Sequence, residues 1–129
     1  MEDKKIMDPE TEQNEESKKD TDYGEIKLMV PIRSGDKDVN ILKFDFRKLT
    51  SKDILRSMNA DPQNNNPFNI NAAQMMFAFS IAAAKAMDGV DEYDIRERLS
   101  AFDAIAAMQV AKLFFATKAR SAKVRFGDA

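Results

Sequence analysis

The sequence predicts an α+β fold: a small antiparallel β-hairpin packed on three to four α-helices, preceded by a disordered acidic tail. Three observations carry this reading. Residues 25–46 hold two runs with apolar residues at alternate positions, parted by the turn-rich RSGDKD. Alternation of that kind marks half-buried strands. Residues 70–87, INAAQMMFAFSIAAAKAM, have only Asn71, Gln74, Ser80 and Lys85 as polar residues. At 3.6 residues per turn this is a helix apolar nearly all round, and such a helix must be covered on several sides. Residues 1–24 have only Met1, Ile6, Met7 and Tyr23 as large apolar groups, too few to offset the entropy of ordering. The expected organisation is an acidic tail over 1–24, one domain over 25–120, and a frayed basic end over 121–129.

In the first strand, EIKLMVPI, the alternation places Ile26, Leu28, Val30 and Ile32 on one face. Pro31 cannot donate to a ladder, which suits an edge strand or a strand end. In the second, VNILKFDF, Leu42, Phe44 and Phe46 share a face and Val39 and Ile41 take the other. A two-stranded hairpin is marginal alone, so its apolar face needs helices. The next segment, RKLTSKDILRSMNA, starts a helix at Thr50 or Ser51, with Asp53 in the first turn. Leu49, Ile54, Leu55 and Met58 form its apolar stripe. The helix should end by Ala60, because Asp61 precedes Pro62. DPQNNNPFN is a loop bracketed by Pro62 and Pro67, and Asn69 or Asn71 caps the apolar helix.

Gly89 ends that helix. Asp91 can cap the next, with Asp94 three residues on as an imperfect capping box. Ile95 and Leu99 then lie one turn apart. Ser100, with Asp103 three residues later, re-caps the chain. The last helix, AFDAIAAMQVAKLFFATKAR, carries a stripe of Phe102, Ala106, Val110, Leu113, Phe114 and Thr117, widened by Ile105 and Met108.

Composition excludes several chemistries. The 129 residues contain no Cys and no His. Disulfides, Cys/His zinc sites, thiol nucleophiles and a His general base are therefore out. Eight Met favour adaptable apolar contacts. The 18 residues of 70–87 approach membrane-spanning length, but their polar residues and many Ala argue against insertion. The net charge of −2 divides into −5 over residues 1–24 and +3 over the rest. That body charge is too weak for a nucleic-acid footprint.

Candidate chemistry is sparse. Asp88, Asp91, Glu92 and Asp94 do not follow the calcium-loop pattern, since Gly89 comes second, and they read as helix-start acids. Asp45, Asp53 and Asp103 offer carboxylates, but the sequence sets no separation between them. Ser80 reads as a small packing residue. Lys118, Arg120, Lys123 and Arg125 suit a helix C-terminus, a phosphate-binding arm, or a dock for the chain's own acidic tail. No catalytic residue, metal ligand or cofactor site is expected, and the chain reads as a binding protein.

The order of parts resembles the tail assembly chaperones of tailed bacteriophages and prophages, above all the contractile-tail and Mu-like group. The resemblance runs over residues 25–117. It rests on the strand-to-helix junction Leu42–Asp53 and on the phrase LSAFDAIAAMQVAKLFF, Leu99–Phe115. It implies a non-enzymatic protein of the host bacterial cytoplasm, absent from the mature virion. Such a protein binds the tape measure protein, a long helical chain, and keeps it soluble until tail tube protein subunits replace it. The residues expected to meet the partner are Met75, Met76, Phe79, Ala83, Met108, Phe114 and Phe115, on the helices at 70–87 and 100–117. Several weak copies on one elongated chain gain by multivalency, so a homo-oligomer is expected. Neither nucleic acid nor membrane is an expected partner. The competing expectation is a small phage-encoded regulator that binds a folded host protein.

Overall fold

The computed structural model describes residues 22–66 and 69–127. The chain runs β1 (Tyr23–Ser34), β2 (Lys37–Asp45), a 3-10 turn (Phe46–Lys48), α1 (Ser51–Met58), α2 (Ala72–Ala86), α3 (Glu92–Arg98) and α4 (Ala101–Gly127). Over the described residues this is the small α+β fold expected: one antiparallel hairpin and four helices. The hairpin begins at Tyr23, inside the expected tail, and residues 1–21 lie outside the described residues. Pro67, the second bracket of the Asn-rich loop, also lies outside them.

β1 pairs with β2 antiparallel from Tyr23↔Asp45 to Ser34↔Lys37. Gly35 turns the hairpin at φ +60, a left-handed value that costs glycine nothing. Gly24 lies opposite Phe44, where a Cβ would sit 3.2 Å from the phenyl Cζ. The ring therefore lies across the glycine.

Between Lys27 and Ile32 the pairing breaks, and Leu28–Pro31 stand opposite Asn40 alone. Pro31 falls in this bulge, where no ladder N–H is required of it. The bulge corrects the expected alternation. Leu28 and Ile32 are buried, whereas Val30 is 49% exposed. On β2, Leu42 and Phe44 are buried as expected, and Phe46 is buried too but lies just past the strand in the 3-10 turn; Val39 is buried with them, because the ladder shifts phase at Asn40.

The core is aromatic at its centre. Phe46 stacks on Phe114 with centroids 4.6 Å apart and planes 14° apart, and Phe44 contacts both Phe46 and Phe79 at 5.3–5.4 Å. Offset and tilted pairs of this kind add to the area they bury. α2 is enclosed: Ala78, Phe79, Ser80, Ile81, Ala82 and Ala83 are all buried. The hairpin, the 3-10 turn and the other three helices contact it.

Capping follows the expected residues. Thr50 and Asp53 form a reciprocal box on α1, and Asn71 and Gln74 form one on α2. At α4 the Ser100 hydroxyl accepts from the Asp103 N–H at 3.2 Å. α3 is capped from a distance. Asp91 is its N-cap without a side-chain bond, and the buried Ser34 hydroxyl accepts the Asp91 N–H and donates to Asp94, both at 2.8 Å.

Two helices depart from their expected stripes. α1 turns Asp53 and Ser57 inward, while Leu55 is 65% exposed. The cause is Asp53, which pairs with Lys85 of α2 as well as capping its own helix. α4 continues to Gly127 and does not end near Arg120. Its inward residues are Asp103, Ala107 and Ala111, with Val110, Phe114 and Phe115 packed beside them.

Gln74 organises the loop before α2. It is fully buried; its oxygen accepts from the Asn71 N–H and the Asn64 amide, and its NH2 faces the carbonyls of Met58, Asp61 and Asn64 at 2.7–3.1 Å. Removing one partner leaves several buried groups unpaired, each costing about 1–3 kcal/mol. Gln74→Leu should therefore lower unfolding free energy by about 2–4 kcal/mol in urea titration and speed amide exchange in residues 59–66. A loss under about 0.5 kcal/mol, the level of an ordinary surface change, would remove Gln74 from this role.

Candidate partner-binding surface

α4 has two apolar faces. One packs inward on the core. On the opposite side Phe102, Ile105 and Leu113 are 69%, 52% and 59% exposed. Their spacing, with Gln109 between them, keeps them on one stripe at 3.6 residues per turn. Ala106 and Ala116 extend the stripe without raising it. Beside it, Ile105, Met108, Gln109 and Lys112 of α4 face Ala72 and Met75 of α2 across a groove of about 230 Å3.

Asp103 positions the near end of this surface. Its buried carboxylate accepts the N–H groups of Met29 and Val30 at 3.0–3.1 Å and the Ser100 hydroxyl at 3.0 Å. These bonds clamp the β1 bulge to the first turn of α4. Met29, 72% exposed, and Val30 are thereby carried on a loop tied to the turn that holds Phe102. Burial acts to raise the Asp103 pKa, but the two backbone donors and the serine outweigh it and hold it below the ordinary value.

The expected partner residues separate into three groups. Met75 and Met108 meet at the groove. Met76, Phe114 and Phe115 are half-buried against the core. Phe79 and Ala83 are 0% exposed, which corrects their expected place at an interface: they are core. The single apolar stripe expected on the last helix divides: Phe102, Ile105 and Leu113 lie on its outer face, whereas Val110 and Phe114 pack inward. Ala107 and Ala111 are the signal that separates the faces, since small residues let α4 approach α2 closely.

The remaining polar clusters are structural. Glu92 pairs with Arg56 at 2.6 Å and Arg96 at 3.3 Å. Both guanidiniums lie over Phe77, and Arg96 also donates to Ser80 at 2.8 Å. Ser80 is thus a bonded joint between α2 and α3 and not merely a small packing residue. Asp45 caps the 3-10 turn and accepts from Arg47. The Arg47 hydrogen bond lowers its pKa. Among the described residues no cluster of acids could hold a metal ion, and no helix is long and apolar enough to cross a membrane.

No family model matches the chain. No curated protein and no solved structure is similar to it at a significant level.

Two outcomes follow from this geometry. Ile105→Ser and Leu113→Ser should change unfolding free energy by under about 0.5 kcal/mol, as surface changes do. Phe79→Ala should cost about 3–5 kcal/mol. Denaturant titration of the three variants separates the outer face from the core, and equal losses would erase the distinction.

Acid should act through the buried Asp103 and Asp53 and through the Arg47-paired Asp45. The folded pKa of each is depressed, so their stabilisation is complete above the unfolded value near pH ~4 and is lost as pH falls through the folded one. Stability should stay level from about pH 7 to 5 and drop below that. Asp103→Asn should cost about 1–3 kcal/mol at pH 7 and flatten the acid slope. An unchanged slope would contradict the clamp.

Proposed function

We propose that this chain is a small, non-enzymatic tail assembly chaperone of a contractile-tail or Mu-like phage or prophage. It binds the tape measure protein in the host cytoplasm, keeps it soluble, yields it to tail tube protein subunits, and stays out of the finished virion. One observation carries the reading: the stripe of Phe102, Ile105 and Leu113 left open beside the methionine-lined groove. An amphipathic helix laid along an apolar groove is a known recognition mode. Methionines at Met75 and Met108 re-pack against varied sequence, which suits a long chain with many different apolar segments. Several copies seated along one such chain reinforce each other through multivalency.

Co-expression with the tape measure protein encoded beside it tests this. A tape measure chain soluble only with this protein, in a complex whose light scattering gives many copies, is the expected result. Ile105→Glu with Leu113→Glu should abolish that solubility in a protein that still folds. A soluble lone protein beside an insoluble tape measure, or a one-to-one complex with a folded host protein, would overturn the reading.

A further inference from the structure

The described chain begins at Asp22, and Asp22 touches α4: its Oδ1 lies 3.2 Å from the Lys118 Nζ. The sequence before that contact is acidic. Residues 1–21 carry Glu2, Asp3, Asp8, Glu10, Glu12, Glu15, Glu16 and Asp20 against four lysines. The helix that receives the contact is basic. From Ala104 to Gly127, α4 carries Lys112, Lys118, Arg120, Lys123 and Arg125 and no acid. The only large aliphatic side chains within residues 2–21 are Ile6 and Met7.

We propose that residues 1–21 dock back on α4 of the same molecule, along its basic C-terminal half and the adjoining Leu113 stripe, and compete there with the partner helix. The competition rests on the chaperone reading; the docking does not. Charge complementarity and the anchor at Lys118 carry it. A single exposed ion pair is worth little alone. Held at Asp22, however, the remaining acids meet the basic helix at high effective concentration, and weak pairs add.

The reach is sufficient. Fifteen residues from Met7 to Asp22 extend to about 50 Å. Phe102 lies only about 24 Å along the helix from Lys118. That reach lets the acids nearest Asp22 pass the bases beyond Lys118 and the segment then turn back, so that Ile6 and Met7 reach Leu113 on the stripe.

The absence of cysteine provides a clean probe. Thr11→Cys in the full chain takes a single nitroxide label. Amide resonances of residues 113–125 should broaden at low salt. They should sharpen near 1 M salt, where the screening length falls to about 3 Å. The same label on a chain with Glu10, Glu12, Glu15 and Glu16 changed to Gln should give markedly less broadening, although its tether is equally long. Equal broadening in the two chains, or none in a folded protein, overturns the docking. Broadening that persists when labelled and isotope-enriched molecules are separate copies places the tail on a second molecule and overturns the intramolecular form.

Competition has its own readout. Binding of a fluorescent amphipathic peptide of Leu, Gln and Glu should tighten about tenfold in the four-Gln chain if the tail covers α4 about nine-tenths of the time. Broadening without that gain overturns the competition. Failure of both chains to bind the peptide counts against the chaperone reading and leaves the docking result standing.

Discussion

The need to cover α2 on every side organises the rest of the fold. A helix with so few polar residues cannot lie on a surface, and the chain is short. Its cover comes from one face of the hairpin, the 3-10 turn, and three helices placed around it. Phe46 is the junction of that cover, since it meets Phe44, Phe79, Phe114 and Phe115 at once. Because α2 is used up internally, little of its large apolar surface stays open beyond Met75 at its N-terminal end. The large apolar side chains left most open on a helix belong mainly to α4, whose core contact is made on one side only, by Ala107 and Ala111 with Val110, Phe114 and Phe115 beside them.

Polar side chains hold the cover in place, and three of them share one position. Asp53, Gln74 and Asp103 each stand third in a helix, each is buried, and each bonds its own N-cap residue. Each also reaches a distant element: Asp53 takes Lys85 of α2, Gln74 takes the loop carbonyls, and Asp103 takes the bulge of β1. A helix start exposes unpaired N–H groups, so a residue that caps locally sits where backbone polarity must already be satisfied. Extending that bond to a neighbour joins secondary structure to tertiary structure through one side chain. No buried side-chain polar atom among the described residues lacks a partner, which is consistent with such joints being complete.

Local signals in the sequence located the elements well. The hairpin, the capped starts at Thr50, Asn71 and Ser100, and the break at Gly89 follow from alternation, capping chemistry and turn residues. Faces were harder. Val30 reads as inward by alternation, but the strand bulges there: Pro31 has no N–H for the ladder, and the N–H groups of Met29 and Val30 go to Asp103. Leu55 reads as core because leucine usually is, yet the Asp53–Lys85 pair rotates α1 so that its polar face turns inward. Phe102 and Leu113 fit a packing stripe by spacing. What selects the opposite face is Ala107 and Ala111, because close helix approach needs small residues and not large ones. Periodicity identifies an amphipathic helix; it does not identify which of two apolar faces meets the core.

α4 and α2 are alike in composition but not in fate. Both have apolar residues around most of their circumference, yet one hairpin and two short helices provide cover for a single such helix. The second must give one face to the core and leave the other to solvent or to chain beyond the described residues. Beside the large side chains of that outer face lie the polar Gln109 and Lys112. Downstream, the helix becomes basic, and cations near a helix C-terminus also favour its dipole. Along α4 the residues therefore change character in order, with the apolar stripe preceding the basic run.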